Sequence, residues 1–97
     1  MRFKDRDIEA FWIDSDKFKP RRVPPELRKP LFRKLQMMDA AEASGSLNDL
    51  RVPPGNRLEC LEGDRAGRCS IRVNRQWRLC FTWTTSGIEG VELVDYH

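Results

Sequence analysis

An α+β fold, two helices packed on a mainly antiparallel sheet after a short N-terminal strand, is predicted from three observations. Leu27, Leu31, Leu35 and Met38 recur four, four and three residues apart, which makes one apolar stripe on a helix. From Arg57 onward the apolar period changes to two, the spacing of a half-buried strand. Between these halves stands the stretch from Val52 to Asn56, whose Pro-Pro-Gly centre is a strong breaker. A chain of 97 residues suffices for one modest core, so residues 1–97 are expected to form a single domain. Charged residues make up 34% of it, but 39% apolar residues, with five Phe and three Trp, argue against disorder.

The elements follow in chain order. Arg2 to Lys4 reads as a short first strand. Asp5 and Asp7 are candidate N-caps for a short helix carrying Ile8, Phe11 and Trp12 on one side. Ser15 to Arg22 reads as a basic linker, with Pro20 preventing a continuous helix. The main helix is expected to begin near Pro24 and Pro25, since proline is tolerated in a first turn. Pro30 either kinks this helix or marks its true start. Ser44-Gly45-Ser46 should end it, and Leu47 to Leu50 adds a further turn. Strands are expected over Arg57 to Glu62, Arg68 to Val73, Trp77 to Trp83 and Val91 to Tyr96. A glycine-bounded loop, Gly63 to Gly67, and a tight turn at Ser86-Gly87 separate them. The helices should cover one sheet face and leave the other partly open.

The central hairpin sets its own register. A two-residue turn at Asn74-Arg75 would pair Ile71 with Arg78 and mix the faces, because a slip of one residue moves every side chain across the sheet. A loop of Asn74, Arg75 and Gln76 instead pairs Val73 with Trp77, Ile71 with Leu79 and Cys69 with Phe81. It sets Arg72 opposite Arg78 and Arg68 opposite Thr82, so arginines share the second face. Two like charges directly opposed are unfavourable unless something negative lies between them. A phosphate would serve, and so would Asp95 of the neighbouring strand, bracing the two arginines. The last strand is apolar at both parities, so the face of Asp95 stays open.

The formal charge is only +3, and its distribution is the sharper signal. After Lys34 every Lys or Arg is an arginine, from Arg51 to Arg78, and beyond Arg78 only Glu89, Glu92 and Asp95 carry formal charge. Arginine's planar fork suits phosphate. A solvated surface with scattered counter-charges is the plain alternative. Cys60, Cys69 and Cys80 lack close metal spacing, and the chosen register puts Cys69 and Cys80 on opposite faces. Reduced thiols, a cytoplasmic setting, no membrane span and neither metal nor cofactor are therefore expected. At the end of the chain, Asp95, Tyr96 and the lone histidine His97 follow a strand beside the arginines. RNA carries its own nucleophile, the 2′-hydroxyl. Its cleavage needs a base, an acid and a cation. His97, Tyr96 and Arg78 are those three chemical types.

The segments Gly63 to Gly67, Ser70 to Asn74, Gln76 to Leu79 and the closing Asp95 to His97 resemble the HigB-type toxins of the RelE/ParE superfamily. Pro53 to Glu59 and Arg78 to Trp83 are similar to the GraT-like subgroup. The resemblance spans nearly the whole chain and implies a RelE-like fold and a toxin that cleaves mRNA on the ribosome. It also implies a HigA-type helix-turn-helix antitoxin as partner, through which alone operator DNA is bound. Carried over, it makes Arg78, Asp95, Tyr96 and His97 the catalytic set. Arg57, Arg65, Arg68, Arg72, Asn74 and Arg75 become RNA-binding candidates. Asn74 stands where better-known members have arginine, and Glu59 and Glu62 stand where they have histidine and lysine. Two other readings are a gyrase poison of the ParE kind and a non-enzymatic RNA- or ribosome-binding toxin.

Overall fold

The computed structural model describes residues 1–63 and 67–96. Arg65 and His97, both singled out above, lie outside the described residues. Helix α1 spans Arg6–Ile13 and α2 spans Arg28–Ser44. Strands β1 (Glu59–Cys60), β2 (Arg68–Arg72), β3 (Trp77–Thr84) and β4 (Gly87–Asp95) form an antiparallel sheet in sequence order.

Each helix follows from its sequence. Ile8 and Phe11 are the buried positions of α1. Leu27 to Met38 behave as one stripe, with Leu31, Leu35, Met38 and Ala41 buried on α2. The start differs from the expectation: Pro25–Leu27 is a 3₁₀ turn, and the α-helix begins only at Arg28. Pro30 is thus the third helical residue, where its missing N–H costs nothing, and no kink is needed. Gly45 closes α2 in the left-handed region at φ 72°, and its N–H donates to the Ala41 carbonyl at 2.9 Å. Leu47–Arg51 is the further turn, as 3₁₀ helix.

The hairpin register matches the argument from face consistency. Ile71 pairs with Leu79, Cys69 with Phe81, Arg72 with Arg78 and Arg68 with Thr82. Ile71, Leu79 and Phe81 are completely buried against the helices, together with Ile8, Leu31 and Leu35. Burying such a side chain contributes roughly 1.5–3 kcal/mol, so these positions hold the helices on the sheet. Between β3 and β4 the register shifts near Cys80 and Thr82. That irregularity lets Ile88 and Val91, an odd number of residues apart, both be buried, while Val94 and Tyr96 fall on the opposite parity to Val91 and Leu93, half-buried and exposed.

Three expected elements are smaller or longer than read. The strand expected over Arg57 to Glu62 shrinks to β1, because Arg57 is left-handed at φ 45° and cannot extend a ladder. The first strand shrinks to a parallel bridge between Phe3 and Val91. Strand β4 starts at the turn itself, at Gly87 rather than Val91. A Cβ on Gly87 would stand 2.6 Å from Glu42 Oε2, which accepts the Ile88 N–H, so the turn packs tightly against α2.

The outer side of β4 is satisfied from within the chain. Arg2 N–H donates to Ile88 O, Lys4 N–H to Val91 O and Val91 N–H to Arg2 O. Leu93 N–H donates to Asp5 Oδ2 at 2.7 Å, and Leu93 O accepts from Arg22 Nη1 at 3.0 Å. Arg22 also bridges Asp5 and Asp7. Asp5 therefore serves the sheet and the basic linker, and its side chain makes no N-cap bond to α1.

Candidate active site

Arg78 projects from β3 on the face away from the helices. It is only 8% exposed, which is rare for an arginine and demands partners. It has them. Nε donates to Ser70 Oγ at 3.0 Å, and Nη2 donates to the Arg57 carbonyl at 2.7 Å and the Ser70 carbonyl at 3.3 Å. Hydrogen bonds from a charged group are each worth roughly 1.5–3 kcal/mol. Nη1 is the nitrogen these bonds leave over. Glu59 Oε2 lies 4.0 Å from Nη2 on a side chain that is 70% exposed. The Tyr96 ring sits over the guanidinium, 5.9 Å from centroid to Cζ, within cation–π range.

Around this group lies a depression of about 210 Å³ lined by Arg57, Glu59, Arg72, Asn74, Arg75, Arg78 and Tyr96. The structure thereby brings together four of the RNA-binding candidates with two of the catalytic ones. Arg72 is held at the rim by its own turn, Nε donating to the Asn74 carbonyl at 3.0 Å. Asn74 shapes that turn: Oδ1 accepts the N–H groups of Gln76 and Trp77, both at 2.8 Å.

Arg68 and Asp95 do not line this depression; Arg68 lines an adjoining one that shares Glu59 and Tyr96 with it. Arg68 Nη2 donates to Glu92 Oε2 and Nη1 to the Gly90 carbonyl at 3.2 Å, so its fork already holds β4. Asp95 pairs with Trp77 in the ladder, while Arg78 pairs with Val94. Asp95 thus stands on Trp77's side, and its Oδ2 accepts from Gln76 Nε2 at 3.0 Å. The arginine–aspartate–arginine brace across the sheet is not formed: the bonds of Arg78 go to Ser70 and Arg57.

The expected reduced state of all three cysteines is also corrected. Cys60 and Cys69 are directly opposed across β1 and β2 and form a disulfide, leaving Cys80 as a free thiol. Burial pushes the Cys80 thiol's pKa up, so it is held in the protonated form.

Sequence reasoning missed two supporting residues. Ser70 is an ordinary strand serine until the register places it diagonally across from Arg78. Gln76 ties the hairpin loop to the end of the chain, its carbonyl accepting the Tyr96 N–H and its amide reaching Asp95. The quoted motif segments contain both residues, but only the cross-strand geometry gives them a role.

The family model for RelE-like toxins of the HigB type II toxin–antitoxin system matches residues 1–97. Toxin HigB-1 of Vibrio cholerae serotype O1 is 47% identical over 96 residues, covering 99% of this chain and 92% of that protein. An uncharacterized protein of Haemophilus influenzae is 37% identical over 91 residues, covering 94% and 85%. Among solved structures, the YoeB–YefM complex from Staphylococcus aureus superposes with a TM-score of 0.56 at 19% identity, covering 99% of this chain and 93% of that one. This last similarity is one of fold.

Proposed function

The chain belongs to the HigB-like family of RelE-like toxins from type II toxin–antitoxin systems, and from that membership we propose that it is a ribosome-dependent endoribonuclease that blocks translation by cutting mRNA. The observation that supports this reading best is Arg78, buried, fixed at Nε and Nη2, and set under Tyr96 within a depression rimmed by Arg57, Arg72 and Arg75. A pre-positioned guanidinium among further cations suits a phosphate that gains negative charge during reaction.

In this reading the RNA 2′-hydroxyl attacks the adjacent 3′ phosphate. Its proton passes to a base, the 5′-oxygen leaves with a proton from an acid, and a 2′,3′-cyclic phosphate remains. Arg78 stabilises the crowded phosphate through its left-over Nη1. His97 is the acid–base group and Tyr96 positions the substrate. Asp95 acts at one remove, through Gln76 and the terminal segment. Arg57, Arg72, Asn74 and Arg75 hold the RNA backbone, with Arg65 as an expected addition. Arg68 contributes less, because Glu92 already occupies it. The partners are the ribosome, mRNA and a helix-turn-helix antitoxin that carries the operator contact. The site of action is the cytoplasm.

The test is 5′-end mapping of mRNA on purified ribosomes with wild-type protein and the Arg78→Ala variant. Ribosome-dependent cuts that vanish in the variant are expected. Uncut mRNA together with DNA breaks in induced cells would replace this reading with a gyrase poison.

A further inference from the structure

We propose that Lys34 and Asn56 are positioning residues for Arg78: they hold from α2 the turn whose next carbonyl, that of Arg57, grips the guanidinium. The inference rests on the ribonuclease reading only for its activity readout.

Among the described residues no ladder pairing fixes the turn. It follows a 3₁₀ segment and leads into a strand of two residues. Arg57 then adopts φ 45°, a conformation a residue with a Cβ rarely takes. Something must hold it there, and Asn56 is the side chain in position. It is completely buried. Nδ2 donates to the Leu50 carbonyl at 3.1 Å and the Val52 carbonyl at 3.4 Å, while Oδ1 accepts from Lys34 Nζ at 2.5 Å. Both amide hydrogens are used, and the oxygen must face the lysine, so only one orientation satisfies the site.

Lys34 sits between the buried Leu31 and Leu35 on α2. Its ammonium lies against a neutral amide rather than a carboxylate, and burial followed by the nearby Arg33 lowers its pKa. A cation placed so carries a desolvation cost, and among the described residues no ion pair offsets it. What it secures is Asn56. The next peptide completes the chain of contacts, with Arg57 N–H donating to Pro54 O at 3.0 Å and Arg57 O accepting from Arg78 Nη2 at 2.7 Å. The rigid core helix thereby sets where Arg78 points. This gives the Val52-to-Asn56 motif a task beyond breaking the helix.

The experiment compares Lys34→Met, which keeps length but loses the donor, with Lys34→Gln, which keeps a neutral donor. Asn56→Asp, which turns an oxygen toward two carbonyls, is the second disruptive change, and Arg33→Met is the control for lost charge on α2. Two readouts are taken on folded protein: hydrogen exchange at Arg78 Nε–H by ¹⁵N NMR, and single-turnover mRNA cleavage measured apart from ribosome affinity. Lys34→Met and Asn56→Asp are expected to speed the exchange and to slow cleavage roughly tenfold or more, with affinity within about twofold, since small misplacements of a reacting group cost rate rather than binding. Lys34→Gln should return cleavage to within about threefold of wild type, and Arg33→Met should match wild type. Unchanged Arg78 exchange in folded Lys34→Met, or equal losses in Met and Gln variants, overturns the inference. Faster exchange in a protein whose wild type cuts no RNA overturns the ribonuclease reading and leaves this one standing.

Discussion

Arg72 and Arg78 stand directly opposite each other on β2 and β3, yet their guanidinium groups part company. Arg72 turns back to the Asn74 carbonyl, and Arg78 reaches along β2 to Ser70 and beyond it to Arg57. The repulsion of an opposed like-charge pair is relieved by this divergence, without a carboxylate between them. Both remain on the lining of one depression, with Glu59 at its edge.

Replacing Arg78 separates charge from geometry. Arg78→Ala is expected to fold but to lose about 1–3 kcal/mol in urea unfolding, because the hydroxyl of Ser70 loses its partner in a buried setting. Arg78→Lys keeps the charge but cannot make the forked contacts to Ser70 and Arg57 at once. Both variants should cut ribosome-bound mRNA more slowly, by roughly a hundredfold or more for alanine. A lysine variant with wild-type cleavage would show that charge alone suffices.

Glu59 opposes the proposed substrate. Its carboxylate lies 4.0 Å from Arg78 Nη2 and is mostly exposed, so its influence on a phosphate is worth only about 1 kcal/mol at high dielectric. Glu59→Gln is therefore expected to tighten RNA binding several-fold at low salt, with the gain shrinking as salt rises. Titration of a labelled RNA at two ionic strengths measures this.

The Cys60–Cys69 bridge closes a short loop, at a sequence separation of 9. In the chain-entropy account such a cross-link contributes about 2–3 kcal/mol. Cys60→Ser should lower unfolding stability by that amount under non-reducing conditions. Added dithiothreitol should bring the wild type down to the same value and leave the variant unmoved.

Acid should reveal the Arg22 cluster. The hydrogen bond from Arg22 holds the Asp7 carboxyl below its ordinary pKa, against the opposing pull of burial. A carboxyl depressed on folding adds stability that is complete above its unfolded pKa of about 3.9 and fades as pH falls through the lower folded value. Asp7 is 41% exposed, so solvent screening keeps the contribution below about 1 kcal/mol. Wild type should accordingly lose that increment between about pH 5 and about pH 2, and Asp7→Asn should not. Urea midpoints across the range decide it.

Much of this architecture was legible in the residues because core burial overrides other preferences. The hairpin register could be read since Ile71, Leu79 and Phe81 must share a face, and only a loop of Asn74 to Gln76 allows it. The family motifs pointed to Arg78 and Tyr96, which the structure brings together. Pairings that depend on irregular backbone were not legible. The Cys60–Cys69 bridge needs the register of a two-residue strand, too short to show alternation. The face of Asp95 was obscured because Val94 and Tyr96 are as apolar in type as Val91 and Leu93, although only the latter pair is buried. Asn56 reads in sequence as a turn residue, and nothing local reveals that Lys34 of α2 holds it.

The outer margin of β4 has a consequence for coexistence with other polypeptides in a crowded cell. An open strand edge is a template onto which a foreign chain can stack and seed fibrils. At Ile88, Val91 and Leu93 the outward amides and carbonyls are already engaged by Arg2, Lys4, Asp5, Arg22 and Glu42. Among the described residues the longest strand of the sheet therefore offers no vacant ladder position at Ile88, Val91 or Leu93, and strand stacking there is blocked by the protein's own first residues, its linker and Glu42.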